Sequence, residues 1–142
     1  MRNSKYMTHL GVVVALLAWS LASPPRVEAS SCSEGFEKFI EHRLFFGRNS
    51  GNVEVVSDEA WDAFLATEIT SRFPDGLTVL DAAGQWREDS GNIIRERTKL
   101  VIVLAPPQDG AGLRTREIAE SYKRSFNQQS VLRVSSEVCA TF

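Results

Sequence analysis

Arg72-Phe73-Pro74-Asp75-Gly76-Leu77-Thr78-Val79-Leu80-Asp81, followed by Gly84-Gln85-Trp86-Arg87, joins a helix to a strand. Pro74 cannot continue a helix and Asp75-Gly76 suits a tight turn, so a helix ends here. Upstream, the Ser57 hydroxyl is placed to cap that helix, with Asp58 and Glu59 in the first turn where the dipole favours negative charge. Val56 and Trp61 have the spacing of a hydrophobic staple, and Trp61, Phe64, Leu65 and Ile69 share one helical face. Downstream, Leu77 to Leu80 forms a strand, and Ala82-Ala83-Gly84 predicts a bulge or bend. Gln85-Trp86-Arg87 resumes the strand, and Glu88-Asp89-Ser90-Gly91 makes a hairpin turn.

The partner strand runs from Asn92 to Leu104 and ends in the apolar run Leu100-Val101-Ile102-Val103-Leu104, which suits a central position. Phe36 to Arg48 is an earlier strand. It is apolar on both sides, with Phe39, Glu41, Arg43 and Phe45 opposed to Ile40, His42, Leu44 and Phe46, and is also central. Gly47 to Gly51 and Pro106 to Gly112 are loops by composition. Thr115 is a cap for a second helix carrying Ile118, Ala119, Tyr122 and Phe126, and Val131 to Val138 is the last strand. The order is β-α-β-β-α-β, a ferredoxin-like α+β fold: a four-stranded antiparallel sheet with two helices on one face.

In that topology the end of the last strand lies beside the start of the first, which brings Cys139 to Cys32. A disulfide between them is expected if the protein is exported; free thiols or a metal pair are the alternatives. The N-terminus argues for export. Arg2 and Lys5 precede an uncharged apolar run from Leu10 to Leu21, and Val27-Glu28-Ala29 offers a cleavage site after Ala29. Residues 1–29 are therefore a signal peptide and 30–142 a single domain, periplasmic or secreted, with no stable membrane span after cleavage. The run is shorter than the roughly 20 residues of a spanning helix. Ala29-Ser30-Ser31-Cys32 is a poor lipobox.

Of the 142 residues, 43% are hydrophobic and 24% charged, ordinary for a soluble domain. Loss of Arg2, Lys5, Arg26 and Glu28 takes 16 basic and 18 acidic side chains to 13 and 17, a net charge of −4. That balance gives no reason to expect nucleic acid, which would call for a clustered basic face.

Motifs for chemistry are few. His42 is the single histidine after residue 29, and no nucleophile elbow, zinc motif or phosphate-cradling loop accompanies it. No metal or cofactor is implied. Arg95, Arg97 and Lys99 alternate along one strand and so share a face. The simplest hairpin register puts Trp86 opposite Ile93, on that same face, which the helices leave open. Trp86 beside cations then suits an anionic or planar ligand, with Gln85 and Arg48 as further candidates. The plainer reading is a solvated basic stripe whose stems cover the Trp. Val101 and Val103 would continue the open face without charge, favouring a homodimer through the sheets or an additional cover.

The opening stretch, with Phe46-Gly47-Arg48, Trp61, Phe64, Arg95-Glu96, Lys99, Tyr122, Phe126, Gln129-Ser130-Val131-Leu132 and Cys139, resembles a bacterial family of small exported domains of unknown function. The likeness implies no activity to carry over. Three readings follow: a domain binding a small ligand or itself through the open face; an enzyme of the dimeric α+β-barrel kind, with His42 or Asp81 moving protons; and a structural envelope module.

Overall fold

A computed structural model describes residues 31–87 and 90–142. The expected signal peptide and its cleavage site lie outside the described residues, as do Glu88 and Asp89 of the expected hairpin turn. The elements are β1 (Glu37–Gly47), β2 (Asn49–Ser50), β3 (Val53–Glu54), α1 (Asp58–Phe64), β4 (Thr78–Arg87), β5 (Ile93–Ala105), α2 (Ala111–Phe126) and β6 (Leu132–Ala140). One sheet has the order β4-β5-β1-β6, every neighbouring pair antiparallel. β1 and β5 are the central strands, as their two-sided apolar patterns require. Both helices lie on one face, where Trp61, Phe64, Ile118 and Tyr122 pack on Leu44, Phe46, Val101 and Val103. This is the expected α+β arrangement.

The local expectations need four corrections. Gly47 to Gly51 is not simply a loop: β2 and β3 pair as a short hairpin, with Gly51 turning at φ +59°. The helix that starts at Asp58, capped by the Ser57 hydroxyl 3.2 Å from the Ala60 amide, widens to a π-helix over Leu65–Thr70 and ends there, with Ser71 as its C-cap. No bulge interrupts β4, whose pairing runs without a break from Thr78–Ile102 to Arg87–Ile93. The second helix starts at Ala111, after Gly110 in the left-handed region. Thr115 lies inside it, buried, its hydroxyl donating to the Gly112 carbonyl at 3.1 Å. Asn127, also left-handed, closes that helix.

The core is an aromatic cluster. Phe46, Trp61, Phe64 and Tyr122 have ring centroids 4.8 to 6.4 Å apart, mostly edge to face. The Tyr122 hydroxyl donates to the Gly47 carbonyl at 2.9 Å, so the core fixes the end of β1 from below. Cys32 and Cys139 form the expected disulfide, their Cα atoms 5.6 Å apart. Among the described residues no helix is long and apolar enough to cross a membrane.

Candidate functional site

Register decides which side chains can meet. Trp86 is paired with Ile94, and Gln85 with Arg95. Directly opposed residues share a face, so Trp86 stands on the open side with Ile94, Glu96 and Thr98. Arg95, Arg97 and Lys99 project on the helix side, in phase with the buried Val101 and Val103. The expectation of Trp86 beside the cations on the open face is therefore overturned, because a one-residue shift of pairing moves a strand's side chains to the other face.

Arg48, Arg97 and Lys99 have partners of their own. Arg48 is 1% exposed. It donates to the Val56 carbonyl at 2.7 Å and to Asp58 Oδ1 at 2.6 Å, and lies 2.9 Å from Glu54 Oε1. Arg97 reaches the same two carboxylates, at 3.0 and 3.2 Å. The four residues tie the β2–β3 hairpin to the start of α1. The hydrogen bond from Arg48, more than any other influence, holds the Asp58 carboxyl below its ordinary value. Lys99 pairs with Asp81 across the strands at 2.6 Å. The carboxylates of Asp81 and Glu96 lie on opposite faces and do not meet.

His42 lies buried on the helix side, its Nδ1 2.8 Å from Ser135 Oγ on β6. Burial, then the charges of Arg133 and Arg114, push its pKa below the ordinary histidine value.

Three concavities bear on function. A shallow cleft of about 530 Å³ along β4 and β5 brings Gln85, Arg95, Glu96 and Arg97 together with Asn49, Asn52 and Glu54. A larger cavity of about 740 Å³ opens between the Arg72–Leu77 turn, the end of β5 and Arg114. Its two arginines are engaged by carboxylates. Arg114 lies 4.8 Å above the Phe73 ring and pairs with the Asp109 carboxylate, while Arg72 pairs with Glu68 at 3.1 Å. The third, about 240 Å³, lies at the rim of the open face. Phe45, Trp86 and Leu132 give it apolar walls, and Glu96, Thr98 and Gln128 are its polar lining, with Gln85 at its edge. His42 and Asp81 line none of the three.

The rim pocket exists because two glycines make room. A Cβ on Gly47 would lie 2.5 Å from both Glu96 oxygens, and one on Gly84 would lie 2.6 Å from the Thr98 hydroxyl. Glu96 Oε2 accepts the Asn49 amide at 3.0 Å. The Gln128 side-chain nitrogen is buried without a partner among the described residues. Thr98 and Gln128 were not singled out from sequence, and Glu96 was read only as a strand carboxylate and as part of the family likeness. The signal for Glu96 and Thr98 was the glycine each strand places beside them.

The chain thus builds a small α+β domain with an open sheet face and a pocket at its rim. Residues 41–142 match the family described as "Protein of unknown function (DUF3574)", and the protein belongs to that family. Two solved structures of a phage SAM lyase share the fold. The one in complex with S-methyl-5'-thioadenosine has a TM-score of 0.56 and 18% identity, over 80% of this chain and 95% of that one. The apo form has a TM-score of 0.56 and 15% identity, over 80% and 96%. No curated protein sequence matches the chain.

Proposed function

We propose that this is an exported domain that pairs with a second copy through its open sheet face and holds a small planar ligand in the rim pocket. One observation carries the pairing. The charged residues of β4, β5 and β6 are Asp81, Arg87, Arg95, Glu96, Arg97, Lys99, Arg133 and Glu137, and all but Glu96 stand on the helix side. The open face is left with Phe39, Phe45, Leu80, Leu100, Ile102, Leu104, Leu132, Val134 and Val138, and its Glu41 and Arg43 are paired with each other. Leu80, Leu132 and Val134 are 44%, 59% and 38% exposed.

An apolar face of this kind calls for a cover. A second copy fits, since a predominantly apolar surface is complementary to itself and a two-fold axis uses the same patch twice. Four strands about 4.8 Å apart and about 30 Å long give a flat footprint on the order of 600 Å². Side-chain relief brings that near the roughly 800 Å² per partner of a stable interface. The rim pocket and the larger cavity both draw walls from this face, so pairing would enclose them further. The likeness to a lyase structure that holds a small molecule supports a ligand site on this fold. Export is supported by the Cys32–Cys139 disulfide.

Native mass across a dilution series tests the pairing. A dimer is expected, with Leu132→Glu plus Val134→Glu raising its dissociation constant by roughly a hundredfold or more, about 2.7 kcal/mol. A wild-type monomer at all concentrations would overturn it.

A further inference from the structure

We infer that the rim pocket is a site for a small organic cation with a flat apolar body. The argument starts from Glu96. One of its oxygens accepts the Asn49 amide, but no lysine or arginine lies within ion-pair distance of it among the described residues. Its strand neighbours Arg95 and Arg97 are directed to the other face by alternation, and Arg43, which does stand on the open face, is held by Glu41. Oε1 therefore stands in a recess with neither a donor nor a counter-charge.

The walls define the rest of the ligand. The Trp86 indole is 37% exposed and lines the recess with the half-buried Phe45. A cation placed against an indole gains from the ring quadrupole, and a carboxylate beside it adds a charge-assisted hydrogen bond. An anion would meet Glu96 with repulsion, and a purely apolar guest would leave the carboxylate desolvated and unpaired. The Thr98 hydroxyl, which faces Gly84 and lines the recess, is placed to accept from the same cationic group. Gln128 offers its unpartnered N–H to an acceptor on the ligand's body. The volume of about 240 Å³ admits one ring with a short substituent.

Every wall comes from one chain, so this inference holds for a monomer or a dimer. The test uses benzamidine, a flat monocation, with benzamide as its neutral counterpart and benzoate as its anionic one. Each is titrated into the purified protein while the Trp86 indole and Asn49 backbone N–H resonances are followed and oligomeric state is measured in the same samples. Benzamidine is expected to shift both resonances saturably with a dissociation constant of about 1 mM or tighter, benzamide at least tenfold more weakly, and benzoate not at all. Glu96→Gln, which keeps an acceptor for Asn49, should weaken benzamidine at least tenfold, as should Trp86→Leu. Equal binding of benzamide, unchanged affinity in Glu96→Gln, or no saturable shift at millimolar benzamidine would overturn the assignment. A monomer that binds benzamidine refutes the pairing and leaves this site standing; a dimer that does not bind it does the reverse.

Discussion

The carboxylate of Glu96 occupies the space a side chain on Gly47 would take: a Cβ there would sit 2.5 Å from both its oxygens. Gly47→Ala must therefore displace Glu96, and with it the hydrogen bond to the Asn49 amide. Because a flexible carboxylate tip gives way more easily than backbone, the expected cost is modest, about 1 kcal/mol for the lost bond. Gly84→Ala presses instead on Thr98, whose β-branched side chain has little freedom to move, so about 1–3 kcal/mol is expected. Chemical denaturation of both variants checks the order. A Gly47→Ala loss larger than that of Gly84→Ala would contradict it.

His42 gives the protein a pH dependence near neutrality. Burial and the charges of Arg133 and Arg114 lower its folded pKa, so the unfolded chain binds the proton more readily. Stability contributed by the neutral ring is full above the unfolded value of about 6.5 and declines as pH falls below it, levelling off once the folded form also protonates. Urea midpoints should therefore drop between about pH 7.5 and 5.5, before the carboxylates contribute. His42→Gln should flatten that stretch. An unchanged slope in the variant would place the effect elsewhere.

The strands and helices were legible because each has one dominant period. The phase of the hairpin was not. Ile93 and Ile94 are both apolar, so composition does not distinguish which of them faces Trp86, and a one-residue difference decides which side of the sheet carries the cations. Ala82-Ala83-Gly84 looked like a break in the strand. Its smallness instead serves a close contact, since Gly84 admits Thr98. The β2–β3 hairpin has two residues per strand, too few for any periodicity to show. Arg48 was legible as a notable residue, but its burial depends on Glu54 and Asp58 converging from two other elements, which only the fold reveals.

The Cys32–Cys139 disulfide joins positions 107 residues apart. Closing a loop of that length restricts the unfolded chain strongly, and reduction should cost about 2–5 kcal/mol. Thermal unfolding with and without reductant measures it. A shift below 1 kcal/mol would mean that the sheet alone holds the N-terminal segment.

Arg48 and Arg97 bind the same two carboxylates from different depths, and the difference in burial should separate their effects. Arg48 is almost fully buried and also serves the Val56 carbonyl, so Arg48→Met removes a desolvated charge together with its hydrogen bonds. About 3 kcal/mol is expected, at the low end for a buried pair because Glu54 and Asp58 keep access to water. Arg97 is half exposed, and Arg97→Met should cost no more than about 1 kcal/mol. The acid limb gives a second readout. Asp58 has a lowered pKa, so its contribution is present above the ordinary carboxylate range and fades as pH falls through the lowered value. Since the Arg48 hydrogen bond is the leading cause, Arg48→Met should shrink the acid-side loss of stability more than Arg97→Met does. Denaturant titrations at several acidic pH values compare the two. Equal losses in both variants would show that burial does not set the strength of this network.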